Sequence, residues 1–230
     1  MSATAEMTTA AVPGDPWEME VGAGGSGGDY VLCPAGNYPA NIVAMIDVGH
    51  QNEINDKGET YLSRKLVVAY RLTKKRPDGK SFVLAERYTW SMKSNSNFYT
   101  LACGVTGQKF KDGEIFNPKS ILGICCMVQV ANSSGKKDAS KTFHNITSVA
   151  QFPEGLPCPV VDSPLLAWSV LEGKPLPDVS WIPYVYGDSI PAMVESSKEW
   201  KDGKVPRGPA NGQAPNGKGG ADRHPDDIPF

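Results

Sequence analysis

The chain has 230 residues, of which 24 are glycine and 19 proline, so it holds one body of ordinary domain size with polar appendages. No stretch approaches the roughly 18 consecutive apolar residues of a membrane-crossing helix, and no basic region followed by an apolar run opens the chain. The net charge of −2 is unevenly spread: residues 29–150 hold 16 Lys and Arg against 10 Asp and Glu, a net of +6, and each flank is −4.

The leader, 1–29, is acidic and runs into "VGAGGSGGD"; it cannot bury enough apolar surface to offset its ordering entropy and is expected to be disordered. The first strand is expected in "AGNYPANIVAMIDVGHQNE", where Ile42, Ala44, Ile46 and Val48 alternate with Asn41, Val43, Met45 and Asp47 in the pattern of a half-buried strand, with Gly49 at a bend or bulge. In the second, "TYLSRKLVVAYRLT", Leu62, Leu66, Val68, Tyr70 and Leu72 share one face, and Tyr61, Ser63, Lys65 and Arg71 lie mainly on the other. Pro77, Asp78 and Gly79 form a turn, and the third strand returns as "SFVLAERYTWSMK". There Tyr88 and Trp90 fall with Phe82 and Leu84, opposite Arg87, so one set must face inward unless a bulge intervenes.

"SNSNFYTLACGVTG" predicts a short helix capped by Ser94, Asn95 or Ser96, stopped by Gly104, and burying Phe98, Leu101 and Ala102. Strands four and five follow as "SILGICCMVQVAN" and "KTFHNITSVAQF". This order predicts a mainly β fold: a five-stranded OB-fold-like Greek-key barrel over 30–153, with the helix between strands three and four. Residues 154–202 are a Pro- and Trp-containing extension in which "SIPAMVESSKEWKDGK" reads as a short helix, with Pro191 in its first turn and Ile190, Met193, Val194 and Trp200 as apolar contacts. It is expected to pack on the barrel or on a second copy of the chain. Residues 203–230 are a Gly- and Pro-rich linker with an acidic tip.

Cys33, Cys103, Cys125, Cys126 and Cys158 form no C-x-x-C pair, so neither a disulfide framework nor a thiolate zinc site is expected, and Cys125 and Cys126 read as small buried residues. His50, His144 and His224 are isolated from other ligand types, which argues against a metal or other cofactor. In "GVTGQKF" only Val105 and Thr106 separate the glycines, too few for a phosphate loop, and no G-x-S-x-G nucleophile turn is present. The chain does not read as an enzyme.

Positive charge interleaved with aromatics points to nucleic acid. Lys65 and Arg71 sit beside Tyr61 on strand two; Lys74, Lys75, Arg76 and Lys80 crowd the following hairpin; Arg87, Trp90 and Lys93 lie on or after strand three; Lys136 and Lys137 surround the last hairpin. A cationic groove of this kind tracks phosphates and offers flat rings to bases, with little dependence on sequence.

The chain ends in "HPDDIPF". A flexible tether of this kind suits capture by a partner, whose basic rim would meet Asp226, Asp227 and the terminal carboxylate while Ile228 and Phe230 enter an apolar pocket. This ending resembles the C-terminal tip of bacterial and phage single-stranded DNA-binding proteins, in which acids precede Ile-Pro-Phe on a Gly- and Pro-rich tail. Asp226, Asp227, Ile228, Pro229 and Phe230 match that motif residue by residue, and residues 36–153 resemble a phage-type body in general pattern. The resemblance implies a protein that coats unpaired DNA and recruits replication, recombination and repair proteins through its tip. It further implies a cytoplasmic setting, on the nucleoid or in a phage-infected host, and allows a homo-oligomer. The acidic leader and the extension depart from the family pattern, so family stacking residues are not transferred by position. The alternative is a phage structural or assembly protein whose barrel binds protein.

Overall fold

A computed structural model describes residues 31–134, 142–159 and 164–204. The strands are β1 (Gly36–Ile54), β2 (Thr60–Lys75), β3 (Ser81–Thr89), β4 (Cys125–Ser134), β5 (Thr142–Gln151) and a short β6 (Leu166–Ser169); the helices are α1 (Asn97–Thr106), α2 (Ile190–Ser196) and α3 (Lys198–Lys201). The fold is mainly β. One hydrogen-bonded path runs β3-β2-β1-β4-β5, antiparallel throughout, and β6 adds to β1 in parallel.

β1 joins the two halves. Its first residues, Gly36 to Asn41, pair with β4, and from Ala40 onward it pairs with β2. Among the described residues the ends of the path, β3 and β5, are not paired with each other, and α1 packs against both. The ladder therefore stops short of the closed ring of strands that the sequence suggests.

Helix α1 starts where a hydroxyl can take an orphan amide: Ser96 Oγ accepts from Tyr99 N at 3.1 Å. Phe98, Leu101, Ala102 and Val105 are buried, and Phe98 meets Tyr88 edge-on with centroids 6.1 Å apart. The helix does not stop at Gly104. It runs to Thr106 and ends on Gly107, left-handed at φ 69°. Gly104 instead marks a close approach, because a Cβ there would strike the Val149 carbonyl of β5.

The first strand is buried on both faces rather than one: Ala40 through Gly49 are all buried. The second burial comes from the extension, which packs on the sheet of its own chain. Cross-strand rows Ala44–Ala69–Ala85 and Ile46–Val67 lie beneath Trp168, Val170, Val179, Ile182, Val185, Ile190, Met193 and Val194 in one apolar cluster. Each buried Val, Ile or Met of this cluster contributes roughly 1.5–3 kcal/mol. A register shift between Ile42 and Ala44 leaves Ile42 outside this cluster while Val43, Ala44, Ile46 and Val48 are in it, so the simple alternation expected from the sequence is broken by a bulge.

Polar anchors fix the extension. The Asp47 carboxylate accepts from Arg64 Nη2 and from Ser169 Oγ, each at 2.6 Å, and Glu199 accepts from His50 N at 2.9 Å. Glycine is required at 49, where φ is +78° and a Cβ would run into Glu199 and Val170. Tyr186, at φ 53°, donates its hydroxyl to Glu86, and the Arg87 guanidinium lies 5.4 Å from its ring centroid.

A disulfide joins Cys125 to Cys158, with Cα atoms 6.0 Å apart. This corrects the expectation of five unpaired thiols. Sequence spacing gives no sign of it, because the two cysteines are brought together only by the return of the chain after β5. Cys126, its neighbour, is the buried apolar residue foreseen, and burial pushes its thiol up to about 12. No helix among the described residues is long and apolar enough to cross a membrane.

Candidate nucleic-acid interface

The face of β1–β2–β3 that meets the extension also carries most of the strand cations, and the packing divides them into two groups. At one end, Lys65 is only 6 % exposed; its Nζ lies 2.6 Å from Glu53 Oε2 and donates to Thr89 Oγ1 at 2.9 Å. Burial pulls its ammonium below the ordinary lysine range, against the opposing pull of Glu53. Arg87 reaches the same carboxylate at 4.0 Å, and the Tyr61 hydroxyl donates to it at 3.1 Å. Glu53 therefore gathers Lys65, Arg87 and Tyr61 into one cluster, in which a single carboxylate offsets part of the charge of the two cations. Trp90 has its ring covered by the Arg64 guanidinium at 3.9 Å, and Arg64 is itself paired with Asp47.

At the other end the described residues leave a cleft of about 840 Å³ between the sheet and the extension. Its floor is the cross-strand row Asn41–Arg71–Val83, followed by Lys75 and Ser81, which face each other as β2 and β3 converge on their turn. Arg76 and Lys80 line it from that turn, and the segment Ser180 to Tyr184 forms the facing wall. Four cations therefore line the cleft with two aromatic rings, Trp181 and Tyr184, and among the described residues no Asp or Glu lines it.

The rings are placed differently. Trp181 packs on the extension's apolar cluster and stands 5.9 Å from the Arg71 guanidinium, within cation–π range, whereas Tyr184 is 63 % exposed. Lys75 Nζ donates to Ser81 Oγ at 3.0 Å, and Arg76 Nε lies 3.5 Å from Asp78 Oδ1. Both contacts are exposed, the kind that a phosphate displaces at little cost.

Of the residues foreseen from sequence, the structure brings Arg71, Lys75, Arg76 and Lys80 together. Lys74 and Lys93 are exposed outside the lining, and Tyr61, Lys65, Arg87 and Trp90 lie toward the opposite end of the sheet. Lys136, Lys137 and the tip from Asp226 to Phe230 lie outside the described residues. Sequence reasoning missed Trp181 and Tyr184. The available signal was the density of aromatics in "SWIPYVYG", a stretch with neither a helical nor a strand period.

No group of three or more potential metal ligands occurs among the described residues. Comparison with known protein families gives no match, and neither does comparison with curated proteins.

Proposed function

We propose that the chain is a non-enzymatic single-stranded DNA-binding protein whose β1–β5 body is OB-fold-like. Three features support the fold reading: a long first strand shared by both halves, the strand order 3-2-1-4-5, and a helix between β3 and β4 that packs against both ends of the path. The observation that carries the functional reading is the cleft, where Arg71, Lys75, Arg76 and Lys80 adjoin the rings of Trp181 and Tyr184. Cations in a groove hold the phosphate chain, while an exposed ring gives an unpaired base a surface to stack on. Duplex DNA has its bases already stacked and gains little from such a wall. The terminal Asp226–Phe230 segment is the second functional part, a hook for replication, recombination or repair proteins.

Titration of the full chain with an oligothymidine strand at several salt concentrations tests this reading. Four neutralised phosphates give log affinity against log salt a slope of about −3. Lys80→Gln makes that slope shallower by about 0.7. No binding in dilute buffer, or a flat salt response, overturns the proposal.

A further inference from the structure

At the floor of the cleft is a polar side chain that packing alone does not account for. Asn41 is 5 % exposed, on β1 directly opposite Arg71. Its amide orientation is set by the nitrogen: Nδ2 donates to the Gly123 carbonyl at 3.4 Å and lies 3.4 and 3.5 Å from the sulfurs of Cys125 and Cys158. A carbonyl can only accept, so the branch facing it is the NH2 group. The other branch, Oδ1, is buried and finds no hydrogen-bond partner among the described residues. An acceptor left in this state destabilises a fold unless something donates to it.

Three kinds of group thus line one cleft: the side chain of Asn41, the cations of the β2–β3 turn, and the wall of Trp181 and Tyr184. A nucleotide supplies the complement of all three, with a donor on the base edge, a phosphate and a π face. Resting on the strand-binding reading above, we infer that the cleft seats one base edge-first, with Asn41 Oδ1 accepting from its exocyclic amino group.

The chemistry selects among bases. With Nδ2 committed to Gly123 and the sulfurs, Asn41 does not offer the paired donor and acceptor with which a free asparagine amide grips adenine; it offers an acceptor alone. Cytosine presents its 4-amino group to such an atom. Uracil and thymine place a carbonyl oxygen at the same position, and their one ring N–H lies between two carbonyls whose lone pairs repel Oδ1. The protein therefore prefers amino-bearing pyrimidines over their 4-oxo counterparts, superimposed on otherwise sequence-tolerant binding.

The test compares oligo-deoxycytidine with oligo-deoxyuridine of equal length on the full chain, strands that differ only in the amide or amidine edge of the base. Deoxycytidine is expected to bind about fivefold tighter, the yield of one net hydrogen bond. An oligomer of N4,N4-dimethyl-deoxycytidine, which has lost both donors, is expected to forfeit that advantage. In Asn41→Leu the ratio between the two natural strands falls to about one. Equal binding of the two strands by the unsubstituted chain, or a cytidine preference that survives either dimethylation or Asn41→Leu, overturns the inference and leaves the strand-binding reading standing. Failure to bind any of the strands in dilute buffer removes both.

Discussion

Among single residues, Glu86 is placed for a pH-dependent effect on stability. Desolvation by burial raises its carboxyl from 4.5 to about 7, only partly opposed by the amide and charge of Arg87, and Tyr186 donates a hydroxyl to it. A carboxyl with a higher pKa in the folded than in the unfolded chain favours folding when protonated. Its penalty begins as pH rises above 4.5 and is complete above about 7. Glu86→Gln keeps an acceptor for Tyr186 and removes the ionisation. The variant should match the parent in urea denaturation at pH 4 and exceed it by about 1–3 kcal/mol at pH 8. An equal difference at both pH values would show that the amide acts through packing alone. Lys65 shows the limit of reading charge from a strand pattern. The alternation places it on the same face as Arg71, and both are indeed there. What separates their surroundings is Glu53 at one end of the face and the cleft at the other.

At the scale of elements, the contact of α1 with β5 is the most exacting. Alanine at 104 would favour the helix by up to about 1 kcal/mol in isolation. Here its methyl group would meet the Val149 carbonyl, backbone with little freedom to retreat. Gly104→Ala should therefore lower the urea midpoint, with a net loss of about 1 kcal/mol after an overpacking cost of roughly 1–3 kcal/mol. A gain in stability would mean that α1 slides freely on β5. The five strands and α1 were legible because alternation, the Pro77–Asp78–Gly79 turn and the serine cap are local signals. The inward set on β3 was posed by the sequence as a choice, and Phe82, Leu84 and Tyr88 are the buried ones. The extension resisted reading because its apolar residues are spaced by prolines without a period, and their order is imposed by the sheet beneath them. The Cys125–Cys158 pair and the wall of the cleft are products of the same long-range return, so neither leaves a trace in local spacing.

For the whole molecule, charge is organised along the chain: +6 over residues 29–150 and −4 on each flank. Under the proposed function the acidic tip competes with DNA for the cationic cleft while serving as the partner hook. Removing residues 226–230 should leave oligothymidine affinity equal or up to a few-fold higher in dilute buffer, where charges are poorly screened. Binding to a replication or repair partner should vanish in the same preparation. A clear loss of DNA affinity would instead place the tip inside the strand-binding site.

The central strands β1 and β2 have apolar clusters on both sides, and the later of these is assembled from residues beyond 164. A fragment cut at 153, after the five strands of the main path, would lay bare Val43, Ile46, Val67 and Ala69 as a greasy panel and invite clumping. A portion able to stand alone thus includes the Pro- and Trp-containing extension through α3, which belongs to the folding unit rather than to its margin.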